Sequence, residues 1–191
     1  MTTNVDSDNI LLNINSPDEV NDFLGEYTWQ RKWKNVIMIY YAFPEQAHTA
    51  IISDSVGTAL HVAIDLDEED VVKELVNAIL KHNVEVGDER VEALEIRNER
   101  GDTPLHIAAS RGFDRICKCI IGRNNERINL LSLKNKHGET PLFQAAINWR
   151  KQAFAYLAHI SQDIVDLQDL VRDNGDSILH TAIQGEYFGK L

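Results

Sequence analysis

Cysteine, methionine and proline are scarce in this chain of 191 residues, at two, two and four copies. The two cysteines, Cys117 and Cys119, stand two positions apart, which turns them roughly 200° from each other around a helix. That spacing excludes a local disulfide, and no second pair remains to build a zinc site. The expectation is two small thiols, buried or half-buried, in a reducing compartment. Long hydrophobic runs are missing too. The longest, Val36 to Phe43, is far short of the roughly twenty residues a membrane-spanning helix needs. The N-terminus lacks the basic and apolar regions of a secretory signal. Asp6, Asp8, Asp18 and Glu19 mark an acidic lead-in, expected to be mobile over residues 1–16. Positive charge is short: 19 Lys and Arg stand against 30 Asp and Glu, a net charge of −11. This argues against a general nucleic-acid binder and against docking on an anionic membrane. It suits basic or mixed-charge protein partners. No Gly-rich phosphate loop and no Gly-x-Ser-x-Gly elbow occurs.

What the chain does have is a recurring phrase. It reads Gly101-Asp102-Thr103-Pro104-Leu105-His106-Ile107-Ala108-Ala109 and returns as Gly138-Glu139-Thr140-Pro141-Leu142-Phe143-Gln144-Ala145-Ala146. Weaker copies begin at Gly57 (with Thr58 and His61) and at Gly175 (with Ser177, Leu179 and His180). Each residue has a mechanical purpose. Glycine permits the positive φ of the preceding turn. Thr or Ser caps the helix, and proline suits its first position because no N–H partner is needed there. Leucine opens the buried stripe. Histidine, one turn on, can hydrogen-bond back across the cap. A second helix is predicted in each copy: Glu68 to Lys81 with Val71, Val72, Leu75, Val76 and Ile79 inward, Phe113 to Ile121 with Ile116, Cys117, Ile120 and Ile121, and Lys151 to Ala158 with Phe154 and Leu157.

The phrase resembles the ankyrin repeat, whose fingerprint is Thr-Pro-Leu-His-x-Ala. The resemblance covers about Ser53 to Phe188 and implies an all-α solenoid of stacked helix-turn-helix units. Units are expected over about 20–52 (a degenerate cap, with Trp33 to Phe43 as its outer helix), 53–97, 98–134, 135–171 and 172–191, in one domain over 17–191. The glycines step by 44, 37 and 37 residues, more than the 33 usual for the family. The surplus falls at His82 to Ala93 and Asn124 to Leu130, with an extra helical turn expected within Glu89 to Ile96. The last unit stops before its second helix, so a fragment, a splice form or a truncated relative of a longer protein is expected.

A narrower resemblance rests on Leu94 to Gly101, on Cys117-Lys118-Cys119-Ile120 and on Gly185-Glu186-Tyr187-Phe188, in that order. It is to plant proteins of the accelerated-cell-death type, also called ankyrin–PGG proteins. These carry an N-terminal ankyrin array before a membrane bundle and take part in defence and stress signalling. The resemblance implies a non-enzymatic scaffold that binds a protein or peptide, or its own family's C-terminal membrane domain. It implies a cytoplasmic location for this chain, or the cytosolic face of a membrane for a longer member. The alternative is the regulatory part of a multi-pass channel- or transporter-like protein. Neither nucleic acid nor a small-molecule substrate is expected.

No catalytic, metal or cofactor residue is expected. His61, His106 and His180 recur at one repeat position, where Phe143 also stands, which marks a scaffold role. His48, His82, His137 and His159 lie in separate segments without metal-ligand spacing. The run Asp65 to Asp70 lacks the glycine and final glutamate of an EF-hand and reads as carboxylates at a helix start. By the ankyrin resemblance, partner contacts fall on a concave face of turn tips and first-helix positions. These are Glu99, Arg100, Asp102, Ser110 and Arg111; Lys136, His137, Glu139, Ile147, Asn148 and Trp149; and Asp173, Asn174, Asp176 and Gln184. Asp65 and Leu66 occupy the corresponding places of the second unit. Trp149 stands where the repeat usually has glycine, as an exposed anchor or packed on the neighbouring unit. The expected face carries mixed charge.

Overall fold

The computed structural model describes residues 14, 16–87, 91–161, 171–178 and 180. Nearly all of the lead-in, together with Leu179, Gln184 and the Gly185 to Phe188 motif, lies outside the described residues. The chain divides into two compact units, residues 1–96 and 97–191.

In the first unit, α1 (Pro17–Trp29) and α2 (Trp33–Ala42) form a hairpin, followed by the short α3 (Pro44–Ala47). Ser16 caps α1, its Oγ accepting from the Glu19 amide at 3.3 Å, with proline at the helix start as the cap favours. A small antiparallel pair, β1 (Ile51–Ser53) and β2 (Gly57–Thr58), leads into α4 (Ala59–Asp65) and α5 (Glu69–Val86). Val20 and Leu24 of α1, Ile39 and Tyr40 of α2, Leu60 and Ile64 of α4, and Leu75 and Ile79 of α5 are buried in this unit's core. The second helix is one turn longer than the sequence pattern predicts and ends on Gly87 in the left-handed conformation. Val71 is only half-buried, and Ala78 takes its place on the inner face.

The second unit holds α6 (Pro104–Arg111) with α7 (Asp114–Ile121), and α8 (Pro141–Ile147) with α9 (Lys151–Ile160). Short 3-10 turns at Glu92–Leu94, before this unit, and at Ile128–Ser132, within it, fall in the stretches that lengthen the repeats. The stripe expected on α7 is fully inward: Ile116, Cys117, Ile120 and Ile121 are at most 1% exposed. Each such isoleucine contributes about 2 kcal/mol by leaving water. The expectation for α9 is half corrected. Leu157 and Ala153, one turn apart, face inward, whereas Phe154, about 100° further round the helix, is exposed.

One turn closes each helical hairpin among the described residues. Arg31, Asp67, Gly112 and Trp149 follow the first helix with φ of 54°, 59°, 87° and 58°. At each, the next amide bonds back five residues and its own amide three: Lys32 to Tyr27 with Arg31 to Thr28, Glu68 to Ala63 with Asp67 to Ile64, Phe113 to Ala108 with Gly112 to Ala109, Arg150 to Ala145 with Trp149 to Ala146. This is the Schellman closure of a helix C-terminus. It appears in α1–α2 as well, although that hairpin lacks the repeat phrase.

Candidate interaction face

The turns of the second unit are built from asparagine outward. The Asn98 amide bonds to the Asp102 carbonyl at 3.0 Å, and its Oδ1 accepts from the amides of Arg100 and Asp102, both at 3.0 Å. Asn135 repeats the pattern with the Glu139 carbonyl and the amides of His137 and Glu139, at 2.9 to 3.1 Å. The third turn opens on Arg172 instead, whose amide bonds to Asp176 at 2.9 Å, while Asn174 Oδ1 accepts from Asp176 at 3.0 Å. Successive turns are joined by backbone bonds, Lys136 to Arg100 at 3.0 Å and Asp173 to His137 at 3.5 Å. That approach needs glycine at 101: a Cβ there would lie 2.7 Å from the Lys136 nitrogen, at a φ of 78°.

The tip pairs Glu99-Arg100, Lys136-His137 and Asp173-Asn174 are consequently exposed, on a backbone fixed beneath them. Two expected contact residues are not on the surface. Asp102 and Glu139 are 4% and 3% exposed because they are internal acceptors. Asn135 Nδ2 donates to Asp102 at 2.7 Å and to Glu139 at 3.2 Å, and Gln144 Nε2 also donates to Glu139. Asp176 is half-buried. At the helix ends Arg111, Asn148 and Trp149 are exposed and Ser110 and Ile147 half-buried. Asn148 is tied back, donating to the carbonyl and side chain of Gln144. Trp149 keeps 39% exposure in its left-handed position. Arg150 lays its stem on Gly112 and donates Nε to the Ser110 carbonyl at 2.8 Å. In the first unit Asp65 is exposed and Leu66 half-buried.

The repeat histidines bond as their spacing predicts. His61, His106 and His180 each take the cap amide of Thr58, Thr103 or Ser177 on Nδ1, at 3.2 Å. His106 also donates Nε2 to the Glu139 carbonyl of the next turn at 2.9 Å. Burial lowers its pKa to about 4, against smaller raising contributions from the Glu139 bond and the Asp102 charge. In α8 Thr140 caps through its hydroxyl, accepting from Phe143 at 3.2 Å. Gly57, Gly101, Gly138 and Gly175 all have positive φ, and Pro104, Leu105, Pro141 and Leu142 are buried at their helix starts.

Sequence reasoning missed Asn98, Asn135, Gln144 and Arg172. Arg172 pairs with the Glu139 carboxylate, and its guanidinium lies 5.1 Å from the centre of the Phe143 ring. In repeat register, Phe143 replaces His106 and Arg172 replaces Asn135. Both exceptions meet at one junction: where histidine no longer reaches across, arginine on the ring does. That paired departure was the available signal. Sequence spacing also kept His48 and His82 apart, whereas their rings stand 5.6 Å from each other. His48 is buried against the Tyr40 carbonyl at 2.9 Å, and burial lowers its pKa to about 4. No cluster of three metal-ligating side chains occurs among the described residues.

Electrostatically the chain is lopsided. Residues 1–96 carry 19 acidic and 6 basic side chains, and residues 97–191 carry 11 acidic and 13 basic. The exposed tips and helix ends of the second unit carry both signs, with Glu99 and Asp173 beside Arg100, Lys136, Arg111 and Arg150, and Arg100 pairs with the buried Asp102 at 3.5 Å.

Residues 87–169 match the family model for ankyrin repeats, in three copies. No curated protein matches the chain. The helical hairpins and these matched repeats fit an all-α ankyrin-repeat solenoid fold. Repeats of this kind are typically non-catalytic modules that bind other proteins. No helix among the described residues is long and apolar enough to cross a membrane.

Proposed function

We propose that this chain is a non-enzymatic scaffold that captures a protein or peptide on the turn tips and first-helix ends of its second unit. One observation carries this: the tip backbone is pinned from below by buried Asn98, Asn135, Asp102 and Glu139, while Glu99, Arg100, Lys136 and His137 point to solvent. A preorganised backbone holding exposed side chains loses little entropy on binding. Replacing Arg111, Asn148 and Trp149 together by alanine is expected to abolish capture of partners while leaving the melting temperature within a few degrees of the parent. Unchanged capture refutes this face.

The resemblance to plant accelerated-cell-death-type proteins supports placing the scaffold in defence or stress signalling, with the family's membrane domain as one partner. Co-precipitation of this chain with such a domain, lost in the same triple variant, is the test. The alternative, a regulatory part of a channel- or transporter-like protein, has the same resemblance as its support.

A further inference from the structure

We infer that the turn joining α1 to α2 is a separate contact surface, which takes a short acidic peptide segment carrying an aromatic side chain. It lies in the first unit and does not depend on the face proposed above. Residues 1–96 hold 19 acidic and 6 basic side chains, yet three of those bases, Arg31, Lys32 and Lys34, fall within four consecutive positions. All three are exposed. None of their side chains has an ion-pair partner among the described residues; Lys32 instead holds its Nζ 5.5 Å from the centre of the Tyr27 ring. The first turn of α2 contains no acidic residue. On α1 the acid closest in sequence is Glu26, whose carboxylate accepts from Gln30 Nε2 at 2.8 Å.

The backbone beneath these cations is fixed on both sides. The Arg31 amide bonds to the Thr28 carbonyl at 3.1 Å and the Lys32 amide to the Tyr27 carbonyl at 2.9 Å, while the Lys32 carbonyl accepts from Asn35 and Val36 at 2.9 and 3.2 Å. Arg31 is held at a φ of 54°, where the α6–α7 hairpin uses Gly112. A cation kept in a conformation that glycine adopts more easily is strain that a role at the surface explains. Trp29, two residues before it, is 57% exposed, the most of any described aromatic side chain. Tryptophan and arginine are the residues most often found as interface anchors. The three cations span at most about 11 Å of chain, close to the screening length of about 8 Å at physiological salt, so they act as one patch. Consecutive acids on an extended segment match that span, and an aromatic neighbour meets Trp29. A flat anionic bilayer fits less well. It would also meet Glu26 and Asp22, exposed about one and two turns before Trp29 on α1, whereas a short peptide reaches the turn without them.

The test uses the full chain and a fluorescein-labelled peptide carrying Asp-Glu-Asp beside a phenylalanine, followed by anisotropy. Binding that weakens with added salt is expected. Lys32→Glu and Lys34→Glu should each weaken it roughly tenfold, and Trp29→Ala by a similar factor. Arg31→Gly should weaken it too while keeping the melting temperature at or above the parent's, because glycine takes that φ freely. Arg123→Glu, the same kind of charge change on an exposed loop of the second unit, should leave binding intact. Equal loss in Arg123→Glu shows attraction to net charge alone and overturns the proposal. So does equal binding of a peptide with lysine in place of the acids, or binding of heparin or phosphatidylserine vesicles without binding of the peptide. Loss of the peptide in the Arg111, Asn148 and Trp149 variant moves the contact to the second unit and overturns it as well. If the peptide fails to bind while that triple variant still loses captured partners, this surface falls and the scaffold face stands; a peptide bound at the turn with partner capture unchanged in the triple variant gives the reverse.

Discussion

Acid should loosen the second unit through a single histidine. His106 is buried with both ring nitrogens in use, between the Thr103 cap and the Glu139 carbonyl. Its folded pKa is about 4 against 6.5 when exposed. Between these values the unfolded chain binds a proton that the folded chain refuses, so stability is full above about pH 6.5 and falls as the pH drops toward 4. The linkage integral for those two values gives a loss of roughly 2 kcal/mol between pH 7 and pH 5. With a urea dependence of about 1–3 kcal/mol per molar, the midpoint should move by about 1 M. Trp29 and Trp33 belong to the first unit and Trp149 to the second. Fluorescence of a Trp29→Phe, Trp33→Phe variant therefore reports on the second unit alone. His106→Phe imitates Phe143 without the covering arginine and leaves the Glu139 carbonyl and the Thr103 amide without this partner. It should lower stability by about 2–3 kcal/mol at pH 7 and flatten the decline below pH 6.5. A His106→Phe protein whose midpoint falls with acid as steeply as the parent's would refute the assignment of that proton to His106.

Three further outcomes are expected. Glu139→Gln should cost about 3 kcal/mol by leaving the half-buried Arg172 cation uncompensated, and a double-mutant cycle with Arg172→Gln should show clear coupling in urea melts, whereas additivity contradicts the pair. Gly101→Ala should lose at least about 2 kcal/mol, from the positive φ and the 2.7 Å approach of the Lys136 nitrogen; Gly87→Ala, with nothing within 4 Å, should lose only about 1 kcal/mol, and equal losses would remove the close approach as the cause. Burial pushes the Cys117 thiol up to about 12, so a disulfide reagent at pH 8 should titrate one thiol rapidly in the native protein, Cys119, and two after denaturation; two fast native thiols count against the buried position.

Much of the fold was legible because the repeat phrase is local chemistry. Cap, proline and leucine at fixed offsets specify where α6 and α8 begin, and the i, i+3, i+4 stripe of α7 specifies its inner face. The first hairpin was harder. α1 has no phrase, and its start was signalled only by Ser16 with Glu19 three residues on, a capping pattern that the acidic lead-in obscured. Phe154 was misplaced because one aromatic on a short helix does not define a phase, while Ala153 and Leu157 do. The turn tips were legible in position, but the burial of two of their carboxylates was not. A carboxylate in a turn ordinarily faces water, and only the asparagine of the following repeat, 33 residues after Asp102, draws it inside. Such long-range pairing leaves no periodic trace unless a substitution breaks the register, as Phe143 and Arg172 do together.

The left-handed closure of each hairpin has a consequence for how such an array diversifies. Arginine, aspartate, glycine and tryptophan all occupy the same backbone turn at Arg31, Asp67, Gly112 and Trp149. A non-glycine residue there costs about 1–2 kcal/mol, yet the hydrogen bonds that close the hairpin are main-chain and do not depend on the side chain. The position is therefore a socket whose occupant can be exchanged one repeat at a time for a small, fixed penalty, without redesigning the core beneath. In this chain the most exacting occupant, tryptophan, stands in the α8–α9 hairpin, where exchanging it would change an exposed side chain before it changes whether the protein folds.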